Sequence, residues 1–283
     1  MKIITVQFDY GNGNQYARML EVFRKSCAEC MPNVKFEAIQ LPAPSTYHPG
    51  YTTGMGSNVY KMRVWQQVME KATETVAFCD CDMIALRSIE DAEQVDFDLA
   101  YTVRKSATIP INGGVLFVRP TAAGKAAMAK LNEIDDLMFT DVDLHHKWRA
   151  KYAGMNQAAF GYLLENHSDI AKMVALPCAV YNSCCDTWPT IDKEARLVHI
   201  KGNLRRGLVA NMPESQFESY LRFTVRTWKR LDGGAQPTNE FVQMKPERRE
   251  IGVQNATLPE AVGVPAEGSR SVSFNQFRRR YRG

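Results

Sequence analysis

No apolar run among the 283 residues approaches the roughly 20 needed to span a bilayer as a helix. The apolar stretch 3–8 is not set in the basic, long-apolar and small-residue succession of a secretory leader, so the expectation is a soluble, cytoplasmic protein. Cysteine offers no disulfide framework: seven residues, an odd number without small-scaffold spacing, read as buried thiols in a reducing compartment. Cys27 and Cys30 have the spacing of half a zinc site, but the stretch 15–31 around them is patterned as a helix and offers no second pair. Core packing is the reading there. A long glycine-rich phosphate loop is also missing, because Gly11-Asn12-Gly13 is too short, and this counts against a nucleotidyltransferase.

What is present is alternation of strand and helix patterns. The β-branched segment 3–8, the stretch 16–30 with Leu20, Phe23 and Cys27 at helical spacing, and the segment 34–41 form a β-α-β opening. A loop rich in Pro, Gly, Tyr and Thr (42–56) leads to a helix at 59–71 and an apolar run at 75–79. Strands at 98–103 and 115–118, helices at 122–134 and 155–166, and short strands at 173–176 and 197–200 complete a mostly parallel α/β arrangement. Asp135, Asp136, Asp141 and Asp143, with His145 and His146, read as a solvated acidic loop in preference to a second metal site.

One more amphipathic helix is expected at 214–231, after which Gly233-Gly234 opens a stretch with little periodicity. The expected organisation is a catalytic domain at 1–213 and a helical, then irregular, extension at 214–283. The end of the chain is basic: Arg270, Arg278, Arg279, Arg280 and Arg282 follow Glu267 without one acid. With Phe274, Phe277 and Tyr281 interleaved, this tail suits phosphate contacts and base stacking, hence a nucleic-acid partner or acceptor; it suits equally a solvated arm or a homo-oligomer contact.

The most informative stretch is Val76-Ala77-Phe78-Cys79-Asp80-Cys81-Asp82-Met83, an apolar strand ending in two carboxylates one residue apart. Alternation along a strand lets Asp80 and Asp82 share a side. Ligands of open α/β sheets gather beyond the carboxyl ends of strands, and two hard oxygens there suit Mg²⁺ or Mn²⁺ on a diphosphate. An isolated Asp-x-Asp is also what a solvated turn contains, so the order of the surrounding motifs decides.

That order resembles glycosyltransferase family 8. A helix carrying Lys61 and Arg63 precedes the acidic strand, and Ile111-Asn112-Gly113-Gly114-Val115 is similar to the family's Asn-Ala-Gly-Val segment, with Gly113 in place of alanine. Met155-Asn156-Gln157 is similar to its Asp-Gln segment at a helix start, with Asn156 in place of the acid. Leu176-Pro177 and Tyr181-Asn182 match a stretch whose role is read as structural. Finally, Val198-His199-Ile200-Lys201-Gly202-Asn203-Leu204-Arg205 resembles the His-x-x-Gly-x-x-Lys signature, with arginine at the lysine position and no Pro-Trp after it.

The resemblance implies a GT-A fold, a Rossmann-like, mostly parallel central sheet flanked by helices, and a metal-dependent hexosyltransferase that uses a nucleotide sugar, UDP-sugar first, with retention. Asp80, Asp82 and His199 would hold Mn²⁺ or Mg²⁺. Asn112, Asn156 and Gln157 would meet the sugar, while Lys61, Arg63, Cys81, Gly113, Gly202 and Arg205 would complete the donor contacts. Gln7, Asp9 and Tyr10, at the carboxyl end of the first strand, are expected beside the nucleotide base, with Phe8 turned to the core.

Overall fold

The computed structural model describes residues 1–11, 15–44, 53–105 and 110–233. The basic tail and the loop segment 45–52 lie outside the described residues. In chain order the elements are β1 (Lys2–Asp9), α1 (Gln15–Cys30), β2 (Lys35–Pro42), α2 (Thr53–Lys71), β3 (Val76–Asp80), β4 (Met83–Ala85), β5 (Leu99–Val103) and β6 (Ile111–Val118). There follow α3 (Ala122–Thr140), α4 (Val142–Tyr152), α5 (Asn156–Asn166), β7 (Met173–Pro177), α6 (Cys178–Tyr181), α7 (Ile191–Glu194), β8 (Leu197–His199), α8 (Gly202–Val209) and α9 (Arg222–Asp232).

Six strands form one sheet in the order β2-β1-β3-β6-β5-β7, and a second sheet pairs β4 with β8. In the six-stranded sheet only β6 runs against its neighbours, and the β1–β2, β1–β3 and β5–β7 pairs are parallel; β4 and β8 pair antiparallel. This is the mostly parallel α/β architecture that the alternating pattern anticipates.

Alternation sorts each strand between two cores. Ile4, Val6 and Phe8 of β1 and Val76 and Phe78 of β3 pack toward Trp65 of α2 and the apolar residues of α3 and α5. Ile3, Ala77 and Cys79 point the other way, toward Phe23 and Cys27 of α1. Trp65 stacks on Phe78 with ring centroids 5.1 Å apart. Cys27 is therefore core, as its helical spacing suggests, and all seven cysteines are free.

Two local readings change. The stretch read as a solvated acidic loop is the end of α3 and the start of α4: Asp135 is fully buried, and the Asp141 side chain caps α4 by accepting from the Leu144 N–H at 2.9 Å. Helical periodicity continues past Ile134, with Met138 also buried, and this keeps Asp135 on the inner face. The helix expected at 214–231 is two short 3₁₀ turns, Glu214–Gln216 and Ser219–Leu221, followed by α9.

Helix α9 lies on α1. Val225, Trp228 and Leu231 join Met19 and Val22 in a third cluster with Ile84, Val198 and Ile200, so this helix supports the β4–β8 pair. Arg18 of α1 bonds Asp232 from Nε at 2.7 Å, and Gly233 ends α9 at φ 70°, a left-handed position that costs glycine little. No described helix is long and apolar enough to cross a membrane.

Candidate metal and nucleotide site

The β4–β8 register builds the site. Asp80 ends β3, β4 begins after two intervening residues, and its first residue, Met83, sits opposite His199, the last residue of β8. The backbone then locks the junction: Ile200 N–H donates to the Asp82 carbonyl at 2.8 Å, and His199 N–H to the Ser183 carbonyl at 2.8 Å. A three-residue ladder thus brings together side chains that are over 100 positions apart.

His199 Nε2 lies 3.0 Å from Asp82 Oδ1 and 3.5 Å from Asp80 Oδ2. Among the described residues this is the one group of three His, Cys, Asp or Glu side chains whose ligand atoms all fall within 4.8 Å of each other. Gly114 of β6 makes room for it, because a Cβ there would come within 2.5 Å of the imidazole Cε1 and 3.1 Å of Asp80 Oδ2.

The hydrogen bonds choose the imidazole's tautomer. Thr102 Oγ1 donates to the Asn112 carbonyl (2.8 Å), so its lone pair accepts from Asn182 Nδ2 (2.9 Å). That turns the Asn182 oxygen toward His199 Nδ1, 3.0 Å away, and an oxygen can only accept. Nδ1 therefore carries the proton, and the Nε2 lone pair faces two carboxylates with no hydrogen-bond partner of its own although the residue is buried.

The electrostatics agree. Burial, followed by the Lys201 ammonium, lowers the His199 pKa against the opposing pull of Asp82 and Asp80. A lone pair and two carboxylates converging on one point are mutually repulsive unless a cation lies between them.

The triad opens into a cavity of about 600 Å³ with a cationic rim of Lys61, Lys201 and Arg205. Lys61 Nζ bonds Asp80 Oδ1 at 2.5 Å and lies 4.6 Å from the Trp65 ring centre. Arg205 Nη1 bonds the Tyr16 hydroxyl at 2.8 Å and lies 3.4 Å from Asp82 Oδ2. Cys81 and Gly202 also line the cavity.

Other expected residues lie elsewhere. Arg63 does not line the cavity; it pairs with Asp136 at 2.8 Å. Helix geometry accounts for this, since residues two apart on a helix do not share a face. On β1 and at the residue after it the lining residues are Val6, Phe8 and Tyr10, whereas Gln7 is buried with its amide on the Phe8 carbonyl and Asp9 accepts from the Gly11 N–H at 2.9 Å. Phe8 thus serves the core and the cavity wall together, and strand parity carried that signal.

Asn112, Gly113, Asn156 and Gln157 form a neighbouring group, outside the cavity lining. A Cβ at Gly113 would touch Asn156 Cβ at 3.7 Å and Gln157 Cδ at 3.9 Å, so β6 abuts the start of α5 there. Asn112 is buried, accepting from the Gly114 N–H at 3.1 Å and donating to Cys184 Sγ at 3.3 Å. Tyr16, Ser57, Asn58 and Lys201 line the cavity without having been singled out in the sequence. Of these, Lys201 was legible, two residues past the histidine; the others depend on how α1 and α2 dock.

No family model matches the chain, and no curated protein matches it in sequence. Solved structures match its fold. One is a glycosyltransferase involved in the glycosylation of the major capsid of PBCV-1, at 15% identity over 73% of this chain and 96% of that one, with a TM-score of 0.52. Another is the galactosyltransferase LgtC in complex with donor and acceptor sugar analogs, at 12% identity over 85% and 98% of the two chains, with a TM-score of 0.50. At such identities the likeness is one of fold, and the fold is that of the GT-A glycosyltransferases.

Proposed function

We propose that this protein is a divalent-metal-dependent glycosyltransferase that moves a sugar from a nucleoside diphosphate sugar, UDP-sugar first among them, to an acceptor, with retention of configuration. The observation that carries the reading is the convergence of Asp80, Asp82 and the unprotonated Nε2 of His199 beneath a cavity rimmed by three cations.

The donor set of two carboxylates and one imidazole fits Mn²⁺ or Mg²⁺, and when bound the ion supplies Lewis-acid neutralisation of a diphosphate. Asp80, Asp82 and His199 would hold it. Sugar transfer passes through an oxocarbenium-like state in which the departing diphosphate gains negative charge. Arg205, braced by Tyr16, offers that charge a planar fork, and Lys201 and Lys61 add point charges already in place before reaction. Asn156 and Gln157, at the start of α5, remain our candidates for the sugar face, with Asn112 supporting that region from the core.

The test is Mn²⁺-dependent hydrolysis of a panel of nucleotide sugars by the purified protein, repeated with chelator and with Asp80→Asn. Hydrolysis of one donor, abolished by both, supports the reading. Metal-independent hydrolysis, or none with any donor alongside absent Mn²⁺ binding, would sink it.

A further inference from the structure

Two buried thiols play no part in the proposed reaction yet adjoin the network that holds it. Cys178 opens α6 and Cys184 follows its turn, and their sulfurs lie 3.9 Å apart, both buried and both free. Between them in sequence stands Asn182, whose side chain fixes His199. Cys178 Sγ donates to the Asn182 carbonyl at 2.9 Å, and Asn112 Nδ2 reaches Cys184 Sγ at 3.3 Å and Cys178 Sγ at 3.9 Å.

The two thiols are chemically unequal. The contact with Cys178 Sγ, and then the Arg104 guanidinium, lower the Cys184 pKa against burial and the Asp186 carboxylate, with Lys201 adding to the lowering. The same contact, together with burial, raises the Cys178 pKa. A thiolate beside a protonated thiol is an attacking sulfur next to a resolving one. Cover over the pair is thin: Asp186 Oδ1 lies 3.6 Å from Cys184 Sγ and pairs with Arg104 at 2.7 Å, and the Asp186 side chain is about a third exposed.

We propose that Cys178 and Cys184 are a modification site, forming an intrachain disulfide with a hydroperoxide as oxidant and loosening the Asn182 and Asn112 supports of the metal site. Cys184 thiolate attacks one peroxide oxygen, the O–O bond breaks, and hydroxide leaves to give the sulfenic acid. Cys178 then attacks the sulfenic sulfur, the sulfenic oxygen leaves as water with the Cys178 thiol proton, and the proton that Cys184 released on ionising neutralises the hydroxide. Two thiols and one peroxide yield one disulfide and two waters. The closed bond removes the S–H donor that held the Asn182 carbonyl and moves the Cys184 sulfur that accepts from Asn112.

The linkage claim is independent of the proposed transferase reaction; the coupling claim rests on the proposed metal site, so the experiment reads them separately. The reduced full-length protein is treated with hydrogen peroxide, remaining thiols are alkylated after unfolding, and the chain is cut after aromatic residues. The expected product joins the peptide ending at Tyr181 to the one beginning at Asn182, is 2 Da lighter than the two thiol peptides together, persists in Cys185→Ser and disappears in Cys184→Ser. Recovery of Cys178 and Cys184 as alkylated thiols while the exposed Cys185 is oxidised would overturn the proposal, as would loss of the link in Cys185→Ser. Calorimetric Mn²⁺ titration reads the coupling: we expect about 10-fold weaker binding after oxidation, restored by dithiothreitol. A linked protein with unchanged Mn²⁺ affinity overturns the coupling and leaves the linkage.

Discussion

His199 Nδ1 lies 3.0 Å from the Asn182 side-chain oxygen, and that bond decides which ring nitrogen faces Asp80 and Asp82. With Asn182 itself tied to Thr102, the imidazole is held in one tautomer before any ligand arrives. We expect Asn182→Leu to weaken Mn²⁺ binding about 10- to 100-fold in a calorimetric titration while far-UV circular dichroism stays unchanged. Asn182→Asp, which keeps an acceptor, should retain more affinity than the leucine variant. Equal affinity for wild type and Asn182→Leu would show that the ring needs no such orientation.

The two carboxylates are expected to act as a unit. Asp80→Asn and Asp82→Asn should each lower donor hydrolysis by roughly 100-fold or more, because each removes an anionic oxygen from a three-ligand set. Initial rates at saturating Mn²⁺ measure this, and a loss below about tenfold in both would place the chemistry elsewhere.

Gly114 should tolerate no side chain. The Cβ of Gly114→Ala would fall 2.5 Å from the His199 ring, so the imidazole must shift or the strand must bend. We expect a stability loss of about 1–3 kcal/mol together with weaker Mn²⁺ binding. Gly113→Ala, whose Cβ meets only ordinary contacts at 3.7 Å and beyond, is the control and should keep both properties.

Asp135 makes folding pH-dependent. Burial, and then Asp136, raise its pKa to about 8 against the pull of Lys61 and Arg63, and neither carboxyl oxygen has a hydrogen-bond partner. The folded pKa stands above the unfolded one, so the contribution to stability is complete below pH about 4 and is lost as pH rises toward about 8. Asp135→Asn should remove that slope and raise the melting temperature at pH 8.5 by about 5 °C, on the order of 2 kcal/mol. Thermal melts from pH 5 to pH 9 that run parallel for the two proteins would refute this.

Helix α9 should be integral to the catalytic fold. Trp228 is buried against the cluster that carries Ile84 and Val198, the residues paired at the centre of the β4–β8 ladder. Trp228→Ala is expected to cost about 3–5 kcal/mol, read as a lower urea midpoint at unchanged slope. Because that ladder sets the His199 position, Mn²⁺ affinity should fall in the same variant.

Much of the fold was legible because its causes are local. The β-branched apolar segment 3–8 and the apolar run 75–79 are properties of each strand, and an acidic pair at the carboxyl end of a strand in an α/β pattern announces an anion-and-metal site. Even the misplacement of Arg63 beside Lys61 was readable, since two residues along a helix turn the side chain to another face. Tertiary structure alone decided the rest. The pairing of β4 with β8, the Asn182–His199 bond, the room left by Gly114 and the 3.9 Å approach of Cys178 to Cys184 need register and backbone docking. Residue spacing encodes neither, because a ladder of three residues draws its specificity from the helices packed around it.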